Sequence, residues 1–127
     1  MAVDKSTPIL IVDDYPTMLR IIRNLLRQLG FEHVEEASDG TAALKKLKER
    51  DFGLVISDWN MEPMSGLELL RALRAEPRLQ NLPFVMVTAE NRPERIALAS
   101  EAGASSLVVK PFDANVLRER IAVALGG

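Results

Sequence analysis

The sequence predicts a doubly wound α/β fold: a parallel sheet of five strands with five helices covering its two faces. Three observations carry that expectation. Short apolar runs rich in β-branched residues alternate strictly with longer amphipathic segments along the whole chain. The strongest runs are apolar along their length rather than at every second position, as in strands covered on both faces. The intervening segments are long enough for the helical crossovers that parallel strands need.

The first run is Ile9-Leu10-Ile11-Val12. Pro16 suits the first turn of a helix, with Asp14 or Tyr15 at its start. In that helix Met18, Ile22, Leu25 and Leu29 share a face, flanked by Leu19, Ile21 and Leu26, with Arg20, Arg23, Arg27 and Gln28 opposite. Gly30 stops it. A weaker strand is expected over His33–Ala37, followed by a helix capped by Asp39 or Thr41 with Ala43, Leu44 and Leu47 inward. Leu54-Val55-Ile56 is the third strand, and Leu67, Leu70 and Leu73 mark the third helix. Phe84-Val85-Met86-Val87 is the fourth strand. Asn91 and Pro93 open a helix carrying Ile96 and Ala99 or Ser100. Leu107-Val108-Val109 is the fifth strand, and Asp113 caps a last helix with Val116, Leu117, Ile121 and Ala124 inward. Met18, Met61, Met64 and Met86 read as packing or loop residues, and His33 as a partly exposed one. Arg92, Arg95, Arg118 and Arg120 read as solvated helix faces, some of them available to a partner.

Composition narrows the function. The 127 residues suffice for one domain with its own core, so a single domain over residues 1–127 without an output domain is expected. A net charge of -2 gives no basic field for nucleic acid. The chain has no cysteine, which excludes disulfides, thiol catalysis and cysteine-held metals. Its single histidine, His33, excludes a His-rich zinc site or a histidine-centred triad. Met1–Lys5 has no apolar signal-peptide core, and no apolar run approaches the length of a membrane span. The expected place is the cytoplasm, away from membranes, and the expected state a monomer.

In a parallel sheet all strands point one way, so their C-terminal ends form one edge, where ligands of open α/β folds bind. Asp13 and Asp14 follow the first strand, Asp58 the third, Thr88 the fourth, and Lys110 and Pro111 the fifth. Two carboxylates about 4 Å apart repel by roughly 4 kcal/mol at an effective dielectric near 20, so three in one cleft call for a cation. Oxygen donors without histidine or cysteine suit Mg²⁺. Mg²⁺, a free carboxylate oxygen, an ammonium and a hydroxyl are the parts for phosphoryl transfer to a carboxylate nucleophile. Each residue has a plainer reading: Asp14 as a helix cap, Asp58 as a turn former, Thr88 as a strand-end residue, Lys110 as a solvated charge. Their joint occurrence after four separate strands favours the site.

The words Val12-Asp13-Asp14, Ile56-Ser57-Asp58-Trp59-Asn60-Met61, Val87-Thr88-Ala89-Glu90 and Val109-Lys110-Pro111-Phe112 together resemble the receiver domain of bacterial response regulators. Gly30-Phe31, Val34-Glu35-Glu36-Ala37, Gly66-Leu67-Glu68-Leu69-Leu70 and Ala102-Gly103-Ala104-Ser105 extend the resemblance over nearly the whole chain. It implies a flavodoxin-like strand order of 2-1-3-4-5. It also implies that Asp58 is the phosphoacceptor and that Asp14, Asp58 and the Asn60 carbonyl hold Mg²⁺, with Asp13 acting mainly through water. Lys110 would contact the phosphoryl group, across a cis bond to Pro111, and Thr88 would be the switch hydroxyl. Asn60 and Glu90 match positions that influence hydrolysis of the phosphoaspartate. The implied donor is a phosphohistidine on a histidine kinase. The implied target is a protein, such as a flagellar motor switch protein in chemotaxis, bound on the fourth helix, fifth strand and fifth helix. Self-catalysed phosphotransfer and autodephosphorylation are then the whole expected activity.

Three departures stand out. Leu107 occupies the place of the usual switch aromatic, so the threonine–aromatic coupling is not expected in its ordinary form. Met61-Glu62-Pro63-Met64 carries its proline one place late, and Ser65 stands where an acidic residue is common. Other readings are a relay intermediate or phosphate sink that does not act on a motor, an unphosphorylated interaction module, and a Mg²⁺-dependent phosphatase with an aspartate nucleophile. The last would show Asp-x-Asp after the first strand, where this chain has Asp13-Asp14, and the module would lack a site residue.

Overall fold

The computed structural model describes residues 3–126. The elements run β1 (Ile9–Val12), α1 (Pro16–Gln28), β2 (Val34–Ala37), α2 (Gly40–Glu49), β3 (Leu54–Asp58), α3 (Gly66–Ala75), β4 (Phe84–Thr88), α4 (Pro93–Ala102), β5 (Ser106–Val109) and α5 (Ala114–Ala124). The strands form one sheet in the order β2-β1-β3-β4-β5, every neighbouring pair parallel. The chain therefore begins mid-sheet, moves outward to β2 and returns past β1 to build the other half. The reversal lies between β1 and β3, and a crevice opens there beyond the strands' C-terminal ends.

Side chains of successive strand residues point to opposite faces, so each strand feeds two cores. Leu10, Val12, Val55, Phe84 and Met86 meet Ala43 and Leu47 of α2, Leu69, Leu70 and Leu73 of α3, and Ala99 of α4. Ile9, Ile11, Leu54, Ile56, Val85, Val87 and Val108 meet Leu19, Ile22 and Leu26 of α1 and Leu117 and Ile121 of α5. Each fully buried aliphatic contributes roughly 1.5–3 kcal/mol of transfer free energy, which is why both faces of the central strands read as continuous apolar runs.

The helices refine the expectations. In α1 the buried line is Leu19, Ile22 and Leu26, while Met18, Leu25 and Leu29 are only partly covered and Ile21 is exposed. These three share one core with Ile9 and Ile11 of β1 and Leu117 and Ile121 of α5. Gly30 ends it with φ 95°, a left-handed conformation that glycine adopts without a Cβ penalty. Asp39 caps α2 by accepting from the Ala42 N–H at 2.8 Å, and Thr41 lies inside the helix. Asp113 caps α5 through the Val116 N–H at 2.9 Å. In α4, Pro93 is at the start, but Asn91 makes no cap: the cap position is Arg92, without a side-chain bond. Of the inward candidates on α4 only Ala99 is buried, Ile96 and Ser100 being exposed. Ser65 is the cap of α3 in a reciprocal capping box with Glu68, which accounts physically for a serine there.

Candidate functional site

β3 and β4 run further than their apolar runs suggested. Asp58 pairs with Val87 in the ladder, and the Trp59 N–H donates to the Val87 carbonyl at 2.9 Å. Asp58 and Thr88 are thus the last residues of their strands, not loop residues, and the sheet itself holds their backbones. Gly66 fixes Asp58 from the other side. Its N–H donates to the Trp59 carbonyl at 2.8 Å, and a Cβ at this position would stand 2.2 Å from the Asp58 carbonyl oxygen. Only glycine lets α3 start this close to the end of β3.

The expected residues do converge. Oxygens of Asp13, Asp14 and Asp58 lie within 4.8 Å of one another. Asp13 is 1% exposed, Asp58 6% and Thr88 1%, whereas Asp14 and Asn60 face solvent. Lys110 reaches across from the end of β5, its Nζ 2.9 Å from Asp58 Oδ1 and 3.9 Å from Asp13 Oδ2. The Lys110 N–H donates to the Thr88 carbonyl at 2.8 Å, and the bonds Lys110–Pro111 and Glu62–Pro63 are both cis. Thr88 Oγ1 accepts from the Glu90 N–H at 3.2 Å, which leaves its own O–H free to donate. Asp14, Trp59, Asn60, Met61, Glu62 and Ser65 line a cavity of about 400 Å³ beside the carboxylates.

Asp13 carries the electrostatic signature. Burial pushes its carboxyl up to about 6, with the Asp58 and Asp14 charges adding to the rise; the Tyr15 N–H, donating to Oδ1 at 2.9 Å, and Lys110 oppose it. Asp13 Oδ2 is buried with no hydrogen-bond partner among the described residues. An orphaned carboxylate oxygen beside two further carboxylates is a site short of positive charge. The donor set is entirely oxygen, so the residues fit a hard divalent cation such as Mg²⁺.

Two arginines read as solvated are not. The Arg95 guanidinium lies over the Trp59 ring, 4.4 Å from its centroid, and Arg120 Nε donates to the Leu107 carbonyl at 3.0 Å while its own carbonyl accepts from Ser106 Oγ at 2.8 Å. A third, Arg74, is likewise engaged. It donates to the Gly103 carbonyl through Nε and Nη2 and to the Leu82 carbonyl through Nη1 at 2.7 Å. Their partners are backbone carbonyls and a ring remote in sequence, so no local spacing announces them. Arg92 and Arg118 are exposed, as is His33. Leu107 is half-buried against the core beneath α3 and α4.

Comparison with known proteins matches residues 9–122 to the family described as response regulator receiver domain. Over 113 residues the chain is 55% identical to the chemotaxis protein CheY of Pseudomonas aeruginosa, covering 89% of this chain and 91% of that one. It is 49% identical over 118 residues to the chemotaxis protein CheY-3 of Vibrio cholerae, covering 93% and 91%. Among solved structures, the chemotaxis response regulator CheY4 of Vibrio cholerae superposes with a TM-score of 0.87 at 33% identity, over 94% of this chain and 99% of that one.

Proposed function

The chain belongs to the response regulator receiver family, and we propose on that footing that it takes a phosphoryl group onto Asp58 from a histidine kinase and signals in chemotaxis. The observation that carries the site assignment is the Lys110–Asp58 ion pair at 2.9 Å set against the orphaned, buried oxygen of Asp13. That arrangement holds one nucleophilic carboxylate oxygen beside a fixed cation and keeps the negative charge in excess. The chemotaxis reading rests on the names of the two relatives, each about half identical over most of its length.

In this reading a carboxylate oxygen of Asp58 attacks the phosphorus of the phosphohistidine. A P–O bond forms, the P–N bond breaks, and the leaving imidazole keeps the electron pair. Asp13, Asp14, Asp58 and the Asn60 carbonyl would hold Mg²⁺, which when bound neutralises the transferring oxygens as a Lewis acid. The Lys110 ammonium neutralises a further share and stays with the product. Thr88 donates its free O–H to a phosphoryl oxygen while its Oγ1 still accepts from the Glu90 N–H, so the loop into α4 is drawn with it. Water later attacks the phosphorus, the P–O bond to Asp58 breaks, inorganic phosphate leaves with the water's oxygen and the protons released, and the carboxylate returns. The chain works in the cytoplasm, and its target binds on α4, β5 and α5. It is a signalling domain that modifies itself, with no other substrate turned over.

The test is intact-mass measurement after incubation with Mg²⁺ and a small acyl phosphate. The wild type is expected to gain one phosphoryl group and Asp58→Asn none; equal incorporation in both would remove Asp58 from the role.

A further inference from the structure

Arg95 lies on the first turn of α4, yet its side chain turns back towards the end of β3. Its guanidinium stacks on Trp59, the residue directly after Asp58, at 4.4 Å from the ring centroid. Its Nε lies 3.7 Å from Glu90 Oε2. Arg92 grips the same carboxylate from the solvent side, Nε at 3.0 Å and Nη2 at 2.9 Å. Glu90 in turn follows Thr88 by two residues and is bonded to the Thr88 hydroxyl through its N–H. One side chain thus ties together the exits of β3 and β4, the two strands whose last residues are Asp58 and Thr88.

The contacts are those of a held position, not of a charge drifting in solvent. Trp59 is only 6% exposed, with Arg95 lying over its ring. Arg95 Nη1 is buried and has no hydrogen-bond partner among the described residues. A guanidinium that leaves one N–H unsatisfied gives up hydration to stay where it is, so stacking and the Glu90 charge must hold it there. A lysine could supply the charge for Glu90 but not the flat face for the indole.

We propose that Arg95 is a positioning residue for the phosphorylation chemistry: stacked on Trp59 and holding Glu90, it closes one side of the cleft mouth and lengthens the life of the aspartyl phosphate. Two effects act together. The stacked guanidinium keeps Trp59 covered and the residues 89–92 folded back, which limits the approach of water to the phosphorus. Together with Arg92 it also holds the Glu90 carboxylate at the start of α4, away from the dianionic product, which steadies the loop that hydrogen-bonds Thr88. This inference rests on Asp58 being the phosphoacceptor.

The experiment loads wild type, Arg95→Ala and Arg95→Lys with a small acyl phosphate and Mg²⁺, removes the donor, and follows loss of the phosphoryl group by intact mass. Trp59 emission and its quenching by acrylamide are recorded on the same samples, with melting temperatures alongside. Arg95→Ala should shorten the lifetime three- to tenfold, shift Trp59 emission to the red and raise its quenching. Arg95→Lys should restore part of the lifetime through Glu90 but little of the Trp59 shielding. Placing Arg95→Ala in a Glu90→Gln background should give a smaller further change, because one of its two partners is already neutral. A role confined to stability would lower the melting temperature and leave the lifetime alone, and that result overturns the proposal. A lifetime shortened equally by alanine and lysine, with Trp59 equally shielded in all three, overturns it as well. Failure of the wild type itself to take up a phosphoryl group would instead remove the assignment of Asp58 on which the proposal stands.

Discussion

Asp13 shows how one residue can carry the character of a site. Its carboxylate is buried, one oxygen has the Tyr15 N–H and the other has no hydrogen bond among the described residues, with Lys110 Nζ 3.9 Å away, and its pKa is raised to about 6 from an ordinary 3.8. The folded chain therefore holds this proton more tightly than the unfolded chain does. Stability from this group is fully present below about pH 3.8 and is lost as pH rises through about 6. Above that, the metal-free protein carries a charge it would rather not have. Asp13→Asn keeps an acceptor for Tyr15 and removes the charge. Its stability advantage over the wild type, measured by urea unfolding with a chelator present, should appear between pH 4 and pH 7 and grow with pH. A constant difference across that range would mean that Asp13 is not the titrating group. The same proton competes with a cation, so Mg²⁺ affinity should fall by up to about tenfold per pH unit below about 6. Asp13 was legible in the sequence because it directly follows a strand; its orphaned oxygen was not, because that depends on what the neighbouring strands bring beside it.

At the scale of elements the sheet was the easier half. Continuous apolar runs announce β1, β3, β4 and β5, and the weaker expectation over His33–Ala37 covers β2, although β3 and β4 extend through Asp58 and Thr88 by ladder bonds that hydrophobicity does not encode. Helix faces were harder. Periodicity in α1 offered a broad apolar band, and only packing decides that Leu19, Ile22 and Leu26 form its centre. The joints between elements were not legible at all, and Arg74 is the chief of them. From α3 it reaches the carbonyl of Gly103, where α4 ends, and that of Leu82, just before β4 begins. Burial lowers the pKa of its guanidinium, so these carbonyls stand in for the water it has given up. Gly103, at φ 100°, presents its carbonyl in a left-handed turn, and a Cβ there would stand 2.9 Å from Arg74 Nε. Arg74→Ala should cost about 2–4 kcal/mol, since charge-assisted bonds are lost and buried carbonyls are left unpaired. Arg74→Lys should recover less than half of that, because an ammonium gathers its donors on one nitrogen where the guanidinium spreads them over three. Chemical denaturation measures both, and hydrogen exchange should show the loss concentrated at the end of α4 and the start of β4. A cost spread evenly over the protein would deny Arg74 its place as a local joint.

For the whole molecule, parallel topology explains why residues so far apart in the chain meet. All five strands end on the same edge, and the order β2-β1-β3-β4-β5 puts the ends of β1 and β3 side by side with β4 next. Asp13, Asp14, Asp58, Thr88 and Lys110 could therefore be read together once alternation was seen. Arg95 could not, since its partners depend on how α4 leans on the β3 exit. The same topology concentrates negative charge at that edge. The two well-packed cores beneath it supply the stability that offsets the repulsion of Asp13, Asp14 and Asp58. A cation that binds the folded cleft and not the unfolded chain should then stabilise the whole fold by RT ln(1 + [Mg²⁺]/Kd), about 2.7 kcal/mol at a hundredfold excess over Kd. In a chain of this size that amounts to roughly 6–12 °C in melting temperature. Asp14→Ala removes an exposed carboxylate whose backbone environment is simple, so it should fold normally and lose most of this response. It should also start from an apo melting temperature equal to or above that of the wild type, because one of the three repelling charges is gone. Trp59 is the one tryptophan and adjoins Asp58, so its emission should follow the same Mg²⁺ titration and give the same midpoint. Melting curves that do not move over millimolar Mg²⁺, together with a flat Trp59 signal, would show that the acidic edge is not a cation site and that its charge is tolerated for another reason.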